Sequence, residues 1–287
     1  MIPAYARAFN YSVPWKSSSV HFGGHKGTQR GLGFEFRGNV PLVDYPDARR
    51  MDIRQTIRDP FEQVHVKVFN QDNTTPIFAV CDLSASMQFA GSQRKMDVAK
   101  EVAASIAYSA YEAGDVFSFI GYDDHVLDAM TVPLSNYIHQ AFDVIDTLGA
   151  HTKMNVGSNG ITEVPQYLSQ NRGLVFWISD FHMPLLQIEQ AMNRMSKHQI
   201  VPVVLWDDDE YRRLPAFGFG TMIDPETGRN RTIFFRRDIR DKFLAAFDER
   251  KHALEKLFLT FESPPLYMDG RYNPLTVSNY FEQWMTS

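Results

Sequence analysis

The segment Asp82-Leu83-Ser84-Ala85-Ser86 sets one carboxylate and two hydroxyls on alternate residues, directly after the apolar run Pro76 to Cys81. Oxygen donors without nitrogen or sulfur suit a hard divalent cation, which keeps several waters in its shell. Mg²⁺ is the first expectation, and Mn²⁺ or Ca²⁺ could use the same donors. A second carboxylate, Asp180, follows another apolar run, Leu174 to Ile178. In open α/β sheets, ligands bind beyond the carboxyl ends of strands where the strand order changes direction. Asp82 and Asp180 are therefore expected to meet, far apart as they are in sequence.

Blander explanations exist for each group. Ser and Asp after a strand often cap the next helix. Asp123-Asp124 reads as a hairpin turn. His21 and His25 lack accompanying carboxylates or thiols, and Asp207 to Glu210 reads as a solvated loop. Arg49, Arg50 and Asp52 are expected to form an ion-pair network tying an N-terminal extension to the main body. Gly24 to Thr28 holds the letters of a phosphate loop in the wrong order, and no Gly-x-Ser-x-Gly nucleophile elbow occurs.

The elements that would position Asp82 and Asp180 follow from apolar periodicity. Pro76–Cys81, Val116–Ile120, Leu174–Ile178 and Ile200–Trp206 read as strands, the continuous apolar runs among them as strands buried on both faces. Val126 to Val132 is expected to pair with Val116–Ile120 across Asp123-Asp124. Helices are expected over 95–113, ended by Gly114, and over 137–148, 161–168 and 185–198. A tail hairpin turns at Asp224 to Gly228, and a long helix from Asp238 to about Phe258 faces Phe243, Ala246, Phe247, Leu254 and Leu257 inward. Strands alternating with helices imply a mainly parallel sheet flanked by helices. Residues 1–72, glycine-rich with short alternating pieces, read as a β-rich extension, and 73–287 as the main α/β domain.

Composition narrows the function. Twenty-nine basic against 34 acidic residues give a net charge of −5, with no long basic run, so a nucleic-acid partner is not expected. The single cysteine, Cys81, excludes an internal disulfide and a cysteine-built zinc site. No signal-like or membrane-spanning apolar stretch is evident, and the cytoplasm is the expected compartment.

Asp-x-Ser-x-Ser after a buried strand, with a later strand-terminal Asp, resembles the metal-ion-dependent adhesion site of von Willebrand A domains. The resemblance implies a Rossmann-like fold of that kind, with Asp82, Ser84, Ser86 and Asp180 around the metal. It also asks for a threonine. Thr152 lies 28 residues before Asp180, close to the family spacing, but without the usual Gly-Gly-Thr context. Ser158 is the alternative.

A second resemblance spans nearly the whole chain. Arg30 to Phe36, Asp47 to Asp52, Thr56 to Asp59 and the Asp-Leu-Ser-Ala-Ser-Met loop are similar to the family known as domain of unknown function 58. Its members are encoded beside MoxR-type AAA+ ATPases and are linked to chaperone-like or metal-insertion assemblies. Soluble members of methanol-oxidation gene clusters, linked to maturing a dehydrogenase, are similar too. This chain departs from the family in lacking N-terminal membrane spans and in reading Met51-Asp52-Ile53 where Ile-Asp-Trp is usual.

The resemblance implies a non-enzymatic adaptor that grips a carboxylate of a client protein through the metal and works with the ATPase. A Mg²⁺-dependent phosphatase or other hydrolase is the rival. The sequence disfavours it, because position 84, two residues after Asp82, holds no second acid and no lysine is evident beside the loop.

Overall fold

In the computed structural model, residues 2–13, 25–31, 35–44, 46, 48–61, 63–150, 154, 156–207, 217–223 and 230–284 are described. Eleven strands appear among them. The central sheet has six: β4 (Pro76–Asp82), β5 (Val116–Tyr122), β6 (Val126–Ser135), β7 (Leu174–Ser179), β8 (Gln199–Trp206) and β11 (Leu266–Asp269). Their order is β11-β8-β7-β4-β5-β6. All neighbours run parallel except β6, which returns antiparallel beside β5. The chain leaves β4 to one side for β5 and later returns on its other side with β7. The carboxyl ends of β4 and β7 thus flank the point where strand order reverses.

The sheet is covered on both faces, as its apolar runs require. Alternate side chains of a strand point to opposite faces. Ile77, Ala79 and Cys81 join a core with α2 (Lys95–Glu112), α3 (His139–Asp146) and α6 (Pro274–Trp284). Phe78, Val80 and Trp177 join the opposite core with α4 (Leu185–Arg194) and α5 (Arg237–Thr260). Helix α2 ends as expected at Gly114, whose φ of 73° only glycine adopts without strain. The Gly114 amide donates to Tyr111 O and the Asp115 amide to Ala110 O, satisfying two terminal carbonyls.

The remaining strands form two small sheets. Strands β1 (His25–Gly31), β3 (His65–Asn73) and β2 (Glu35–Pro41) make an antiparallel sheet in the order β1-β3-β2. Strands β9 (Gly218–Ile223) and β10 (Asn230–Phe235) make the tail hairpin, whose expected turn at Asp224 to Gly228 lies outside the described residues. Helix α1 (Ile53–Arg58) beside the small N-terminal sheet buries none of its residues, and Ile53 and Ile57 are exposed.

Residues 2–13 belong to neither small sheet; they strap across α2 and the chain's last helix. The Arg7 and Phe9 amides donate to Ser105 Oγ and Ser109 Oγ on α2, at 3.0 and 2.9 Å. The Arg7 guanidinium donates to Tyr272 O, while the Tyr272 hydroxyl donates back to Arg7 O. The Phe9 ring packs on Phe176 and Phe281.

Several expectations are corrected. The helix expected over 161–168 is two short 3-10 turns, Asn159–Thr162 and Val164–Gln166. Pro165 carries no amide hydrogen to sustain an α-helical turn there. Ala246 on α5 is exposed, and Phe258 takes the core position instead. Asp52 stays within its own region. It caps α1 by accepting the Arg54 and Gln55 amides, and it faces Lys67 at 3.8 Å. Strand β11 and helix α6 have no counterpart in the sequence reading.

Candidate functional site

Strand register brings the acidic groups together. Cys81 pairs with Ile178, so the next step sets Asp82 beside Ser179, and Asp180 follows at once. The Ser179 hydroxyl donates to Asp82 Oδ2 at 2.7 Å. The other oxygen, Asp82 Oδ1, accepts the Ser84 amide at 2.9 Å. This hydrogen bond folds the loop back, and Ser84 then stands at the head of the 3-10 turn Ala85–Gln88, its carbonyl accepting the Met87 amide. The two serines therefore meet through a turn rather than by extended alternation, with Ser84 Oγ and Ser86 Oγ 3.1 Å apart. The Leu83 amide bonds Tyr122 O and the Ala85 amide bonds Val156 O, anchoring the loop on both sides.

Asp180 has a different environment. Its Oδ2 accepts the Lys95 ammonium at 2.9 Å, and both side chains are almost wholly buried (1% and 3% exposed). The Ser86 hydroxyl adds to the pull that keeps the Asp180 carboxylate ionised. His182 Nε2 stands 3.8 Å from Oδ2, its ring stacked on Trp206, and the Trp206 indole donates to Asp180 O.

Phe181 is bulky, buried and in the left-handed region at φ 52°, a conformation that costs free energy and needs support. Its amide donates to Ser179 Oγ, its ring packs on Trp177 and Phe258, and Arg250 of α5 donates to the carbonyls of both Phe181 and Met183.

The electrostatics separate the two carboxylates. Burial, then the negative charge of Asp180, pushes Asp82 well above the usual carboxylate range, against the pull of its Ser84 and Ser179 hydrogen bonds. Burial acts on Asp180 in the same direction, but Lys95 and the other donors outweigh it and hold the group below that range. Asp82 has neutral donors; Asp180 has an ammonium.

Of the sequence-predicted residues, Asp82, Ser84, Ser86 and Asp180 come together. Thr152 lies outside the described residues. Ser158 is buried beside the turn Asn159–Thr162, and its carbonyl accepts from the Gln187 side-chain Nε2. Lys95 escaped the sequence reading, and its place corrects the expectation that no lysine stands beside the loop. Asp123-Asp124 does turn the β5–β6 hairpin, with the Asp123 amide bonded to His125 O.

No group of three or more His, Cys, Asp or Glu suited to a metal occurs among the described residues. A cation here would thus draw on serine hydroxyls beside two carboxylates. That donor set fits a small hard cation, and Asp82, buried among neutral donors, is the group such a charge would stabilise.

The fold defines an α/β protein with a six-stranded, mostly parallel sheet and polar groups gathered at its switch point. The family described as protein of unknown function DUF58 matches residues 45–253, and the chain belongs to it. Among solved structures, it is similar to a conserved hypothetical protein BatB from Bacteroides thetaiotaomicron. The identity is 13% and the TM-score 0.44, covering 74% of this chain and 100% of that one. No curated protein matches. Among the described residues, no helix is long and apolar enough to cross a membrane.

Proposed function

We propose that the chain is a non-enzymatic, metal-dependent protein-binding adaptor with an adhesion-type site of the von Willebrand A kind. Asp82, Ser84, Ser86 and Asp180 would hold Mg²⁺, or Mn²⁺ in its place, with Thr152 as a further donor. A carboxylate from a client protein would fill the position left open. The partner in this reading is a MoxR-type AAA+ ATPase, and the setting is cytoplasmic protein maturation or chaperone-like assembly.

The observation that carries the reading is the buried Asp82 carboxylate, which faces a second carboxylate and accepts only neutral donors among the described residues. A divalent cation would compensate that charge and supply a directional contact for an incoming anion.

The test is a pulldown of the MoxR-type ATPase with Mg²⁺, with EDTA and with Asp82→Ala. Capture is expected only with Mg²⁺ and the intact aspartate, and capture indifferent to both would sink the metal mechanism. Mg²⁺ should also raise the melting temperature of the wild type but not of the variant, because a ligand of the native state stabilises it.

Lys95 favours the second reading, a Mg²⁺-dependent phosphatase, by placing a cation in the site, although on Asp180 rather than on the potential nucleophile Asp82. Against it stand Ser84 in place of a second acid and the hydrogen bonds that hold both oxygens of Asp82. Turnover of a phosphomonoester with Mg²⁺, lost in Asp82→Asn, would favour the hydrolase.

A further inference from the structure

Helix α1 turns its apolar side outward. Ile53 and Ile57 stand one turn apart on it, Phe61 follows just past its end, and they are 63%, 78% and 79% exposed. The polar residues are the ones turned toward the sheet. Thr56 Oγ1 donates to Asp52 O and accepts the His65 amide of β3. Asp52 and Asp59 accept backbone amides at the two ends of the helix and face Lys67 and His65 on the same strand. A surface helix ordinarily does the reverse and seats its apolar stripe on the core.

Charge follows the same division. The Asp52 and Asp59 side chains keep only 16% and 10% of their surface, whereas Arg54 and Arg58, one turn apart, are exposed. Neither arginine has an acidic partner among the described residues. The outward side of α1 therefore joins an apolar ridge to two guanidinium groups, a local reversal of sign on a chain of net charge −5.

We propose that α1 is a docking site for an acidic amphipathic helix of a partner protein. The apolar side of that helix would lie on Ile53, Ile57 and Phe61, and carboxylates one turn apart would meet Arg54 and Arg58. A guanidinium takes a carboxylate through two parallel hydrogen bonds, which fixes the register of the contact. A lipid surface fits less well, because attachment there grows with the apolar area inserted and α1 offers only three side chains. Those three suffice for the anchors of one helix laid along another. None of these residues belongs to the Asp82 loop, so the proposal does not rest on the metal reading.

The experiment is fluorescence anisotropy of the full chain with a labelled amphipathic leucine–glutamate peptide, a matched leucine–lysine peptide, and phosphatidylglycerol vesicles as a third arm. The chain as a whole is acidic, so unspecific attraction would favour the lysine peptide. Tighter binding of the glutamate peptide is expected. Ile57→Ser and Arg54→Glu should each weaken it about tenfold, the scale of losing one anchor. Added salt should weaken binding to Ile57→Ser more than to Arg54→Glu, because only the former keeps both arginines. Both side chains are exposed, so both variants should keep the wild-type melting temperature.

Glutamate-peptide binding no tighter than that of the lysine peptide overturns the proposal, as does binding that neither substitution changes. Vesicle binding that needs Ile57 and Arg54, without peptide binding, assigns the surface to lipid and overturns the protein partner. Self-association in sedimentation that Ile57→Ser abolishes assigns it to a second copy and overturns it equally.

Discussion

The two edges of the central sheet both bury aspartate, and they use it differently. At the amino edge Asp115 precedes β5 and is 3% exposed. The Thr75 amide donates to it at 2.7 Å and the Tyr11 hydroxyl at 2.5 Å. Burial, then the carboxylate alongside, holds the Tyr11 phenol far above its ordinary range, so it remains a donor. At the carboxyl edge Asp82 and Asp180 face each other, and the ammonium of Lys95 bonds Asp180. Burial of a carboxylate is thus a poor signal of function by itself. A second carboxylate close by, with neutral donors on the first, is a better one.

The comparison can be broken most forcefully at the ion pair. Asp180→Ala removes the carboxylate from buried Lys95 and should cost about 3–5 kcal/mol in denaturant unfolding. Asp115→Ala strands the buried Thr75 amide and should cost about 2–3 kcal/mol, equally with and without Mg²⁺.

The pH response sharpens the contrast. Without divalent cations, folded Asp82 binds its proton more tightly than the unfolded chain does. Stability should therefore fall as pH rises from the ordinary carboxylate range, near 3.8, through about 7. Asp82→Asn should flatten that part of the profile, while Asp115→Asn should leave it in place. A profile already flat in wild type would mean that Asp82 ionises without penalty. The smallest effect is expected at Gly114→Ala, beside Asp115, which forces a side chain into left-handed backbone and should cost about 1–2 kcal/mol.

How much of this was legible in the sequence depends on the range of the interaction. Strands β4, β7 and β8 announce themselves because a strand covered on both faces must be apolar throughout. Asp82 and Asp180 stood out as polar groups ending such runs. Strand β11 is only four residues, follows Pro264-Pro265 and carries just two buried positions, Leu266 and Met268, too few for a period. Lys95 was illegible for another reason. A lysine opening a helix ordinarily lies in water, and only the pairing of β4 with β7 places a carboxylate 2.9 Å from its nitrogen. The strained backbone at Phe181 likewise follows from Arg250 and Phe258, which no local pattern connects to it.

The strap of residues 2–13 has a consequence for synthesis on the ribosome. Arg7 and Tyr272 exchange hydrogen bonds across 265 positions of sequence, and Phe9 packs on Phe281. Residues 2–13 therefore find part of their seat only after residues 272–281 have been made. Contacts between such distant segments form late and slow the final step of folding. Until then the outer side of α2 lacks its cover, and this is the helix that carries Lys95. The nascent chain would therefore pair β4 with β5 and β7 before the strap covers α2.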